Sequence, residues 1–288
     1  MSDKSMPPSQ DGRGEDRSEN RQPILEINEC CMQFGGLRAV NNFDLVLKPH
    51  ALQGLIGPNG AGKTTVFNMI TGVYKPTIGR IALQGLEITG LEPHEINHLG
   101  IARTFQNIRL FPSLSVLVYV RIAYHTHAGY SFVDGILHNS RFQHKERELT
   151  EKAQDFLAVF NLQDRQGWTA RNLPYGEQRR LEIARALAAE PQLLLLDEPA
   201  AGMNAAESFS LMDLIHFIRE RFDLTILLIE HQMRVVMGIC EKITVMDFGE
   251  VIARGNPQEI QSDPKVIEAY LGPGAAALSE KFRRKKVQ

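Results

Sequence analysis

A short glycine-rich stretch between an apolar segment and a helix-like segment constrains this chain most. Residues 57–65 read GPNGAGKTT and match the pattern G-x-x-x-x-G-K-[ST]. Leu52, Leu55 and Ile56 lead into it as a strand, and residues 64–70 continue as a helix. Its glycines let the backbone curl so that successive N–H groups point at one anion, and the helix adds the positive end of its dipole. The stretch is therefore predicted to be a phosphate-binding loop, with a parallel α/β sheet behind it.

The side chains of this loop indicate a magnesium nucleotide. Lys63 is expected to reach the β- and γ-phosphates, and the Thr64 hydroxyl is expected to ligate Mg²⁺. The residues predicted to bind the nucleotide here are Gly57, Pro58, Asn59, Gly60, Ala61, Gly62, Lys63, Thr64 and Thr65.

A second apolar run ends on two acidic residues. Residues 193–198 read LLLLDE, and four leucines suit a parallel strand that is buried on both faces. The acids then lie at the carboxyl end of the strand, where open α/β sheets bind their ligands. Asp197 is predicted to hold Mg²⁺, directly or through water, and Glu198 to polarise the water that attacks the γ-phosphate.

Composition limits the class of protein. The 288 residues are 43% hydrophobic and 23% charged, which is ordinary for a globular chain, and the net charge of −2 supplies no basic field for nucleic acid. No apolar run approaches the ~18–20 residues that span a bilayer. Residues 1–22 lack the apolar core of a secretory signal and are expected to form a disordered tail. Residues 273–288 are expected to form a basic tail, which is either solvated or attracted to anionic lipid head groups.

Strand-like and helix-like stretches predict one α/β domain over residues 23–272. Short strand patterns before and after the phosphate-loop helix indicate a parallel core with an antiparallel β flank; they lie at 24–34, 43–49, 52–56, 79–85 and 101–106. Further strands are expected at 192–197, 224–229, 242–247 and 250–254, with helices at 205–221 and 264–271.

A helical subdomain is predicted at about 108–187, and no convincing strand pattern appears from about 113 to 187. Its longest helix is expected at about 141–161. One apolar stripe runs along this helix, formed by Leu149, Ala153, Phe156, Leu157 and Phe160. The stripe either packs inside the subdomain or faces a partner.

The chain resembles a known family between its two nucleotide signals. NLPYGEQRRLEIARALAAEP, at 172–191, opens a basic helix about 20 residues before the acidic strand end, as in ABC-transporter ATPase subunits. The resemblance covers residues 24–272 and is greatest to the ATP-binding subunits of bacterial branched-chain amino acid importers. The stretches that carry it are FGGLRAVNNFDL (34–45), GPNGAGKTTVFNMITGVYKPTIGRI (57–81), RTFQNIRLFPSLSV (103–116), YGEQRRLEIARAL (175–187), LDEPAAGMN (196–204) and ILLIEHQMRVVMGIC (226–240).

The resemblance implies a fold and three further site residues. The implied fold is a RecA-like P-loop NTPase core with an inserted helical subdomain. Phe34 matches the aromatic residue that stacks on adenine, although a packed edge-strand residue is the other interpretation. Gln106 matches the glutamine that links Mg²⁺ to the transmembrane partner. His231 matches the switch histidine that contacts the γ-phosphate.

The signature loop departs from the Leu-Ser-Gly-Gly-Gln pattern of the family. The residues implied to reach a partner's nucleotide are Leu173, Tyr175, Gly176 and Glu177. Pro174 stands where the family has the serine that contacts that γ-phosphate, and proline has no N–H donor. Glu177 replaces glutamine and adds negative charge near a phosphate, which puts the strength of this half-site in question.

The resemblance also implies partners and a location. ATP would be bound between two ATPase subunits, the second being a different chain or a copy. Two transmembrane permease subunits would carry the solute, which a solute-binding protein delivers, and this chain would lie peripherally on the cytoplasmic face of the inner membrane. Cargo other than branched-chain amino acids, such as urea or amides, stays open. A soluble ABC-type ATPase is the alternative of another class, while a GTPase is disfavoured because no N-K-x-D guanine motif is present.

Overall fold

The computed structural model describes residues 22–106, 111, 113–124 and 140–275. Nearly all of the two expected tails lies outside these ranges. The strands are β1 (Leu25–Phe34), β2 (Leu37–Leu47), β3 (Leu52–Ile56), β4 (Ile78–Leu83), β5 (Leu86–Glu87), β6 (Ile101–Arg103), β7 (Leu193–Asp197), β8 (Thr225–Ile229), β9 (Lys242–Asp247) and β10 (Glu250–Gly255). The helices are α1 (Lys63–Ile70), α2 (Pro93–His98), α3 (Val116–Tyr124), α4 (Ser140–Val159), α5 (Tyr175–Leu187), α6 (Ala205–Arg221), α7 (Met233–Ile239), α8 (Pro257–Ser262) and α9 (Pro264–Leu271).

The central sheet has the strand order β10-β9-β3-β8-β7-β6. All its neighbours pair in parallel except β10, which runs antiparallel to β9 at the edge. Every residue of β3, β7 and β8 is buried, because both faces of the sheet are covered by other elements. Only β8 separates β3 from β7, so the ends of these two strands, which carry the phosphate loop and Asp197, meet at one edge of the sheet.

A second sheet forms the predicted antiparallel flank. Its order is β2-β1-β4-β5, and all three pairings are antiparallel. Its apolar side chains pack with α1 and with one face of the central sheet in one hydrophobic cluster, which includes Leu25, Phe43 and Phe67. The opposite face of the central sheet packs against helices α3 to α7 in a second cluster. The predicted combination of a parallel core, an antiparallel flank and inserted helices is confirmed.

The chain between β6 and β7 is helical wherever the structure describes it, apart from turns and an isolated bridge between Ser115 and Thr169. Helix α4 occupies 140–159, close to the predicted 141–161. All five residues of the predicted apolar stripe are buried, including Phe160 just after the helix ends, which confirms that the stripe packs inside. The Phe156 ring lies 5.8 Å from that of Tyr124 in α3 and 5.5 Å from that of Phe222.

Strand β6 is shorter than the sequence pattern indicated. The pattern predicted a strand to residue 106, but β6 ends at Arg103. The Thr104 N–H still donates to the Leu195 carbonyl at 2.9 Å, so pairing with β7 stops just beyond that residue. Phe105 and Gln106 then leave the sheet because their backbone groups bind side chains of α5. No helix in the described ranges is long and apolar enough to cross a membrane.

Candidate functional site

The phosphate loop takes its shape from glycines that no other residue could replace. At Gly57, φ is +153°, and a Cβ atom would collide with the Met246 carbonyl oxygen. At Gly62, φ is +98°, and a Cβ atom would lie 2.5 Å from the Ala39 carbonyl oxygen. Strands β2 and β9 thus press against the loop from outside, and α1 begins directly after it.

Lys63 is directed into the loop. Its side chain is 7% exposed, and its Nζ donates to the carbonyl oxygens of Gly57 at 2.7 Å and Pro58 at 2.8 Å. Burial lowers the pKa of Lys63, while the carboxylates of Glu198 and Asp197 raise it. The ammonium group therefore lies between the loop backbone and two acids, where an anionic ligand would take over its hydrogen bonds.

Asp197 has a partner that sequence reasoning missed. Arg103 Nη2 lies 2.7 Å from Asp197 Oδ2, and both side chains are less than a tenth exposed. Arg103 also donates to Asn68 Oδ1 at 2.7 Å, and its guanidinium lies over the ring of Phe67. The signal was available, because Arg103 opens the RTFQN stretch and ends a strand that pairs with the acidic one. The ion pair gives this buried side chain a partner at the edge of the site, which offsets the cost of burying it.

Two predicted site residues converge on the carboxylate of a third, Glu198. Gln106 Nε2 donates to Glu198 Oε2 at 2.6 Å, and His231 Nδ1 lies 3.3 Å from the same oxygen. Glu198 has φ +46°, a left-handed conformation that is rare outside glycine and that often marks functional sites. Its N–H donates to the Ile229 carbonyl oxygen at 2.9 Å, which fixes the strained turn to β8. The side chain is thereby aimed across the strand ends.

Glu230 is a second residue that sequence reasoning missed. This fully buried carboxylate accepts backbone N–H groups from Ala200 at 2.8 Å, His231 at 3.0 Å and Gln232 at 3.1 Å. Burial raises the pKa of Glu230, and these hydrogen bonds oppose the increase. The contacts join the loop after Glu198 to the turn that carries His231. An acid just before the matched histidine was the available signal.

A cleft of about 480 Å³ collects these groups. Its lining includes Gly57, Pro58, Asn59, Gln106, Glu198, His231, Ala269 and Tyr270. The last two belong to α9, and no sequence argument placed that helix beside the phosphate loop. Burial raises the pKa of Tyr270 to about 12, while the Gly57 backbone acts to lower it. A larger cleft of about 580 Å³ between β2, β9, β10 and α8 contains no phosphate-loop residue, so chemistry favours the smaller one.

Phe34 lies apart from this cleft at the end of β1. Its side chain is 41% exposed, and its ring meets that of Tyr74 edge to face at 5.1 Å. The structure therefore excludes a packed core position and leaves a ring face open to a flat ligand. Tyr74, which supports this ring, was not anticipated.

The signature loop lies at the start of α5 and away from the residues that line the cleft. Leu173 is buried, while the Tyr175 hydroxyl donates to the Ala201 carbonyl at 2.8 Å. Glu177 Oε2 lies 3.2 Å from Arg165 Nε. The negative charge that the sequence placed near a phosphate is thus already paired. Gly176 follows Tyr175 in the first turn of α5, and a Cβ atom there would still be 3.9 Å from Glu207.

The available donors fit a hard cation beside a phosphate chain. Thr64 offers an exposed hydroxyl, Gln106 an amide oxygen and Asp197 a carboxylate. All three are oxygen ligands, which Mg²⁺ prefers, and phosphate oxygens and water usually complete its octahedron. Within the described ranges, no group of three or more His, Cys, Asp or Glu residues forms a metal cluster. Three oxygen donors leave positions for phosphate oxygens, so this donor set suits a cation that arrives with a nucleotide.

Replacing Arg103 with Met is expected to destabilise the nucleotide-free protein by about 3–5 kcal/mol, because Asp197 is left buried without a partner. The matched control is Arg80→Met, which breaks the ion pair with Glu87 at 3.4 Å, where both side chains are more than half exposed. That control should cost at most about 1 kcal/mol. Urea unfolding monitored by circular dichroism measures both values, and equal losses would contradict the structural role of the buried pair.

Comparisons with known proteins agree with this geometry. The sequence family described as "ABC transporter" matches residues 40–201, more than half of the chain. A second family, "Branched-chain amino acid ATP-binding cassette transporter", matches residues 250–273, which contain the α9 residues of the cleft.

Individual relatives match nearly the whole described chain. The high-affinity branched-chain amino acid transport ATP-binding protein LivG of Escherichia coli K12 is 45% identical over 251 residues, covering 87% of this chain and 98% of LivG. BraF of Pseudomonas aeruginosa, which bears the same description, is 46% identical with the same coverage. The crystal structure of MJ1267, an ATP-binding cassette of an ABC transporter in its ADP conformation, superimposes with a TM-score of 0.77 at 30% identity, covering 88% of this chain and all of that one. The chain belongs to the ABC transporter family and is one of its ATP-binding ATPase subunits.

Proposed function

We propose that this chain hydrolyses ATP to power the import of branched-chain amino acids. The observation that carries this proposal is the convergence of Gln106 and His231 on Glu198, 2.6 and 3.3 Å away, in the cleft that begins at Gly57. A carboxylate held by a donor and by an imidazole suits the orientation of an attacking water. The same cleft begins at a loop whose amides suit a phosphate chain.

Each residue has a role that follows from its position. The amides of the loop and Lys63 bind the β- and γ-phosphates, and the exposed ring of Phe34 stacks on adenine. Mg²⁺, when bound, neutralises phosphate charge, and Thr64, Gln106 and Asp197 are the residues that would hold it. Glu198 orients the attacking water, and His231 donates toward the γ-phosphate.

A second ATPase subunit completes the site. The cleft is open on one side, and the signature loop of this chain lies outside it, where it is free to reach the nucleotide of a partner. The start of α5 offers backbone donors there, although Pro174 contributes none. Because this half-site is weak, we favour a different chain over a copy as the partner.

Transmembrane permease subunits are the other proposed partners. A groove of about 270 Å³ between the central sheet and α3 includes Phe111 and Ile122, which are 57% and 45% exposed. Exposed apolar side chains in a groove suit a protein contact. Arg103 lines the same groove and also donates to Asp197. Arg103 would therefore connect a permease segment bound in the groove with the proposed magnesium site. This arrangement supports a peripheral position on the cytoplasmic face of the inner membrane.

The proposed cargo is inferred from the descriptions of the similar proteins. LivG and BraF are named as branched-chain amino acid transport proteins, and the family matched at 250–273 carries the same description. The solute itself would meet the permease and a solute-binding protein rather than this chain. Urea or an amide is therefore the alternative cargo, and a soluble ATPase outside transport is the more distant one.

A tag on this chain tests the proposal. From detergent extracts of the native membrane, we expect a second ATPase subunit and two permease subunits to co-purify with the tagged chain. Vesicles reconstituted with this complex should take up leucine only when ATP is supplied. The matched control is the Lys63→Ala variant, which should assemble without transport. Co-purification of ribosomes or DNA without membrane subunits would contradict the proposal, and uptake of urea but not leucine would replace the cargo.

A further inference from the structure

Two charged side chains of α5 are completely buried. Arg179 and Glu182 are each 0% exposed, and Arg179 Nη1 lies 2.6 Å from Glu182 Oε2. Charges removed from water are costly unless they are paired and hydrogen-bonded. Burial raises the pKa of Glu182, and the Arg179 guanidinium counteracts that increase. A pair in such a position needs a reason beyond solubility or helix stability.

The pair also binds the backbone of the segment after β6. Arg179 donates from Nη1 to the Phe105 carbonyl at 2.8 Å and from Nη2 to the Gln106 carbonyl at 2.9 Å. Glu182 Oε1 accepts the Phe105 N–H at 3.2 Å. The rigid planar fork of a guanidinium can bind two successive carbonyls in this way, whereas a lysine ammonium cannot do so with the same geometry. These three bonds fix the backbone from which the Gln106 side chain projects.

Helix α5 therefore connects two parts of the site. Its first residues, Tyr175 to Glu177, belong to the signature loop that is proposed to meet the nucleotide of a partner. One turn later, Arg179 holds Gln106, whose side chain donates to Glu198 at 2.6 Å. Helix shifts are a common element of conformational switches, and networks of hydrogen bonds and ion pairs are one route by which such a shift reaches another site.

We propose that Arg179 and Glu182 are positioning residues that tie Gln106 to α5. A shift of α5, when its signature loop closes on the nucleotide of the partner, then moves Gln106 relative to Glu198 in the same chain. One helix would thus couple occupancy of one site to the geometry of the other. This inference rests on the proposed function, because it needs a partner and a bound nucleotide.

The test is the double variant Arg179→Met/Glu182→Leu in the assembled transporter. Removing both charges and keeping similar volume preserves the fold in comparable cases. We expect the ATP dissociation constant to change by less than about threefold, since the phosphate loop is untouched. Loss of Gln106 positioning should lower kcat by roughly 10- to 100-fold at a nearly constant KM, the scale expected for misplacement by about 1 Å.

Two further variants separate positioning from structure. Arg121→Met/Glu146→Leu removes a partly buried pair between α3 and α4, with atoms 3.9 Å apart, and should keep kcat within about twofold of the parent. Arg179→Lys keeps the charge but loses the two-carbonyl contact, and should give an intermediate kcat per folded molecule together with some loss of melting temperature. A purely structural role would lower the melting temperature and leave kcat per folded molecule unchanged.

Parental kcat in the double variant, or a rise in KM that accounts for the whole loss, would overturn the inference. So would an equal loss of kcat in the Arg121 control. If the double variant does not fold, the Arg179→Lys variant provides the test. A parental kcat in the Arg179→Lys variant would then contradict the positioning role. A parental complex that binds no ATP would overturn the proposed function instead, and the inference with it.

Discussion

Glu198→Gln is expected to slow ATP hydrolysis by about 10²–10⁴-fold, the contribution typical of a positioned general base. The amide cannot accept a proton from the attacking water, but its size still fits the space between Gln106 and His231. Nucleotide binding should persist, because the phosphate loop is unchanged. The measurement is phosphate release under saturating ATP, together with the ATP dissociation constant.

The chain offers a close control in Glu190→Gln. Glu190 also has a left-handed backbone, with φ +49° against +46° for Glu198, and it precedes the same strand that Glu198 follows. The control removes one carboxylate in the same conformation at the other end of β7, and parental hydrolysis is expected.

In the Glu198→Gln variant, ATP should also retain a closed dimer that elutes earlier in size-exclusion chromatography. Hydrolysis at the parental rate would show that Glu198 does not orient the water.

Lys63→Ala is expected to raise the ATP dissociation constant by about 10²–10⁴-fold. Charge-assisted hydrogen bonds contribute about 1.5–3 kcal/mol each, and Lys63 is proposed to make two with phosphates. In the structure its Nζ donates to two loop carbonyls 2.7 and 2.8 Å away, so the ammonium group lies inside the loop and would exchange these bonds for phosphate oxygens. Titration calorimetry with ATP measures the loss.

A lysine elsewhere on the surface separates this effect from general charge loss. Lys75 is exposed beyond α1, and Lys75→Ala should leave ATP affinity within about twofold of the parent. Thermal unfolding of both variants checks that they remain folded. Tight ATP binding by Lys63→Ala would contradict the role assigned to this residue.

The local pattern of the sequence was enough for much of the fold and for part of the site. The four leucines before Asp197 predicted a buried parallel strand, since an apolar run without alternation leaves no face for solvent. The glycines of the phosphate loop indicated positive φ angles, and the structure has such angles at Gly57 and Gly62. The stripe on α4 could also be predicted, because apolar residues that recur with a period of 3.6 residues indicate that one side of a helix is buried.

Other features could not be predicted, because they join segments that are distant along the chain. Arg103 and Asp197 are 94 residues apart, and Arg179 binds the Gln106 carbonyl across 73 residues. Tyr270 reaches the phosphate loop from the last described helix. The sequence shows that a residue is charged but not which residue it pairs with. Because a charge is rarely buried without a partner, these buried ion pairs could not be predicted.

The sequence by itself determined that a nucleotide loop and an acidic strand end lie on one parallel sheet, because glycine conformations and apolar runs are local properties of the backbone. Only the tertiary structure decided which side chains hold Glu198, that Glu177 pairs with Arg165, and that α5 binds the backbone of Gln106. Those outcomes depend on packing between elements, where burial, not sequence distance, selects the partners of each polar group.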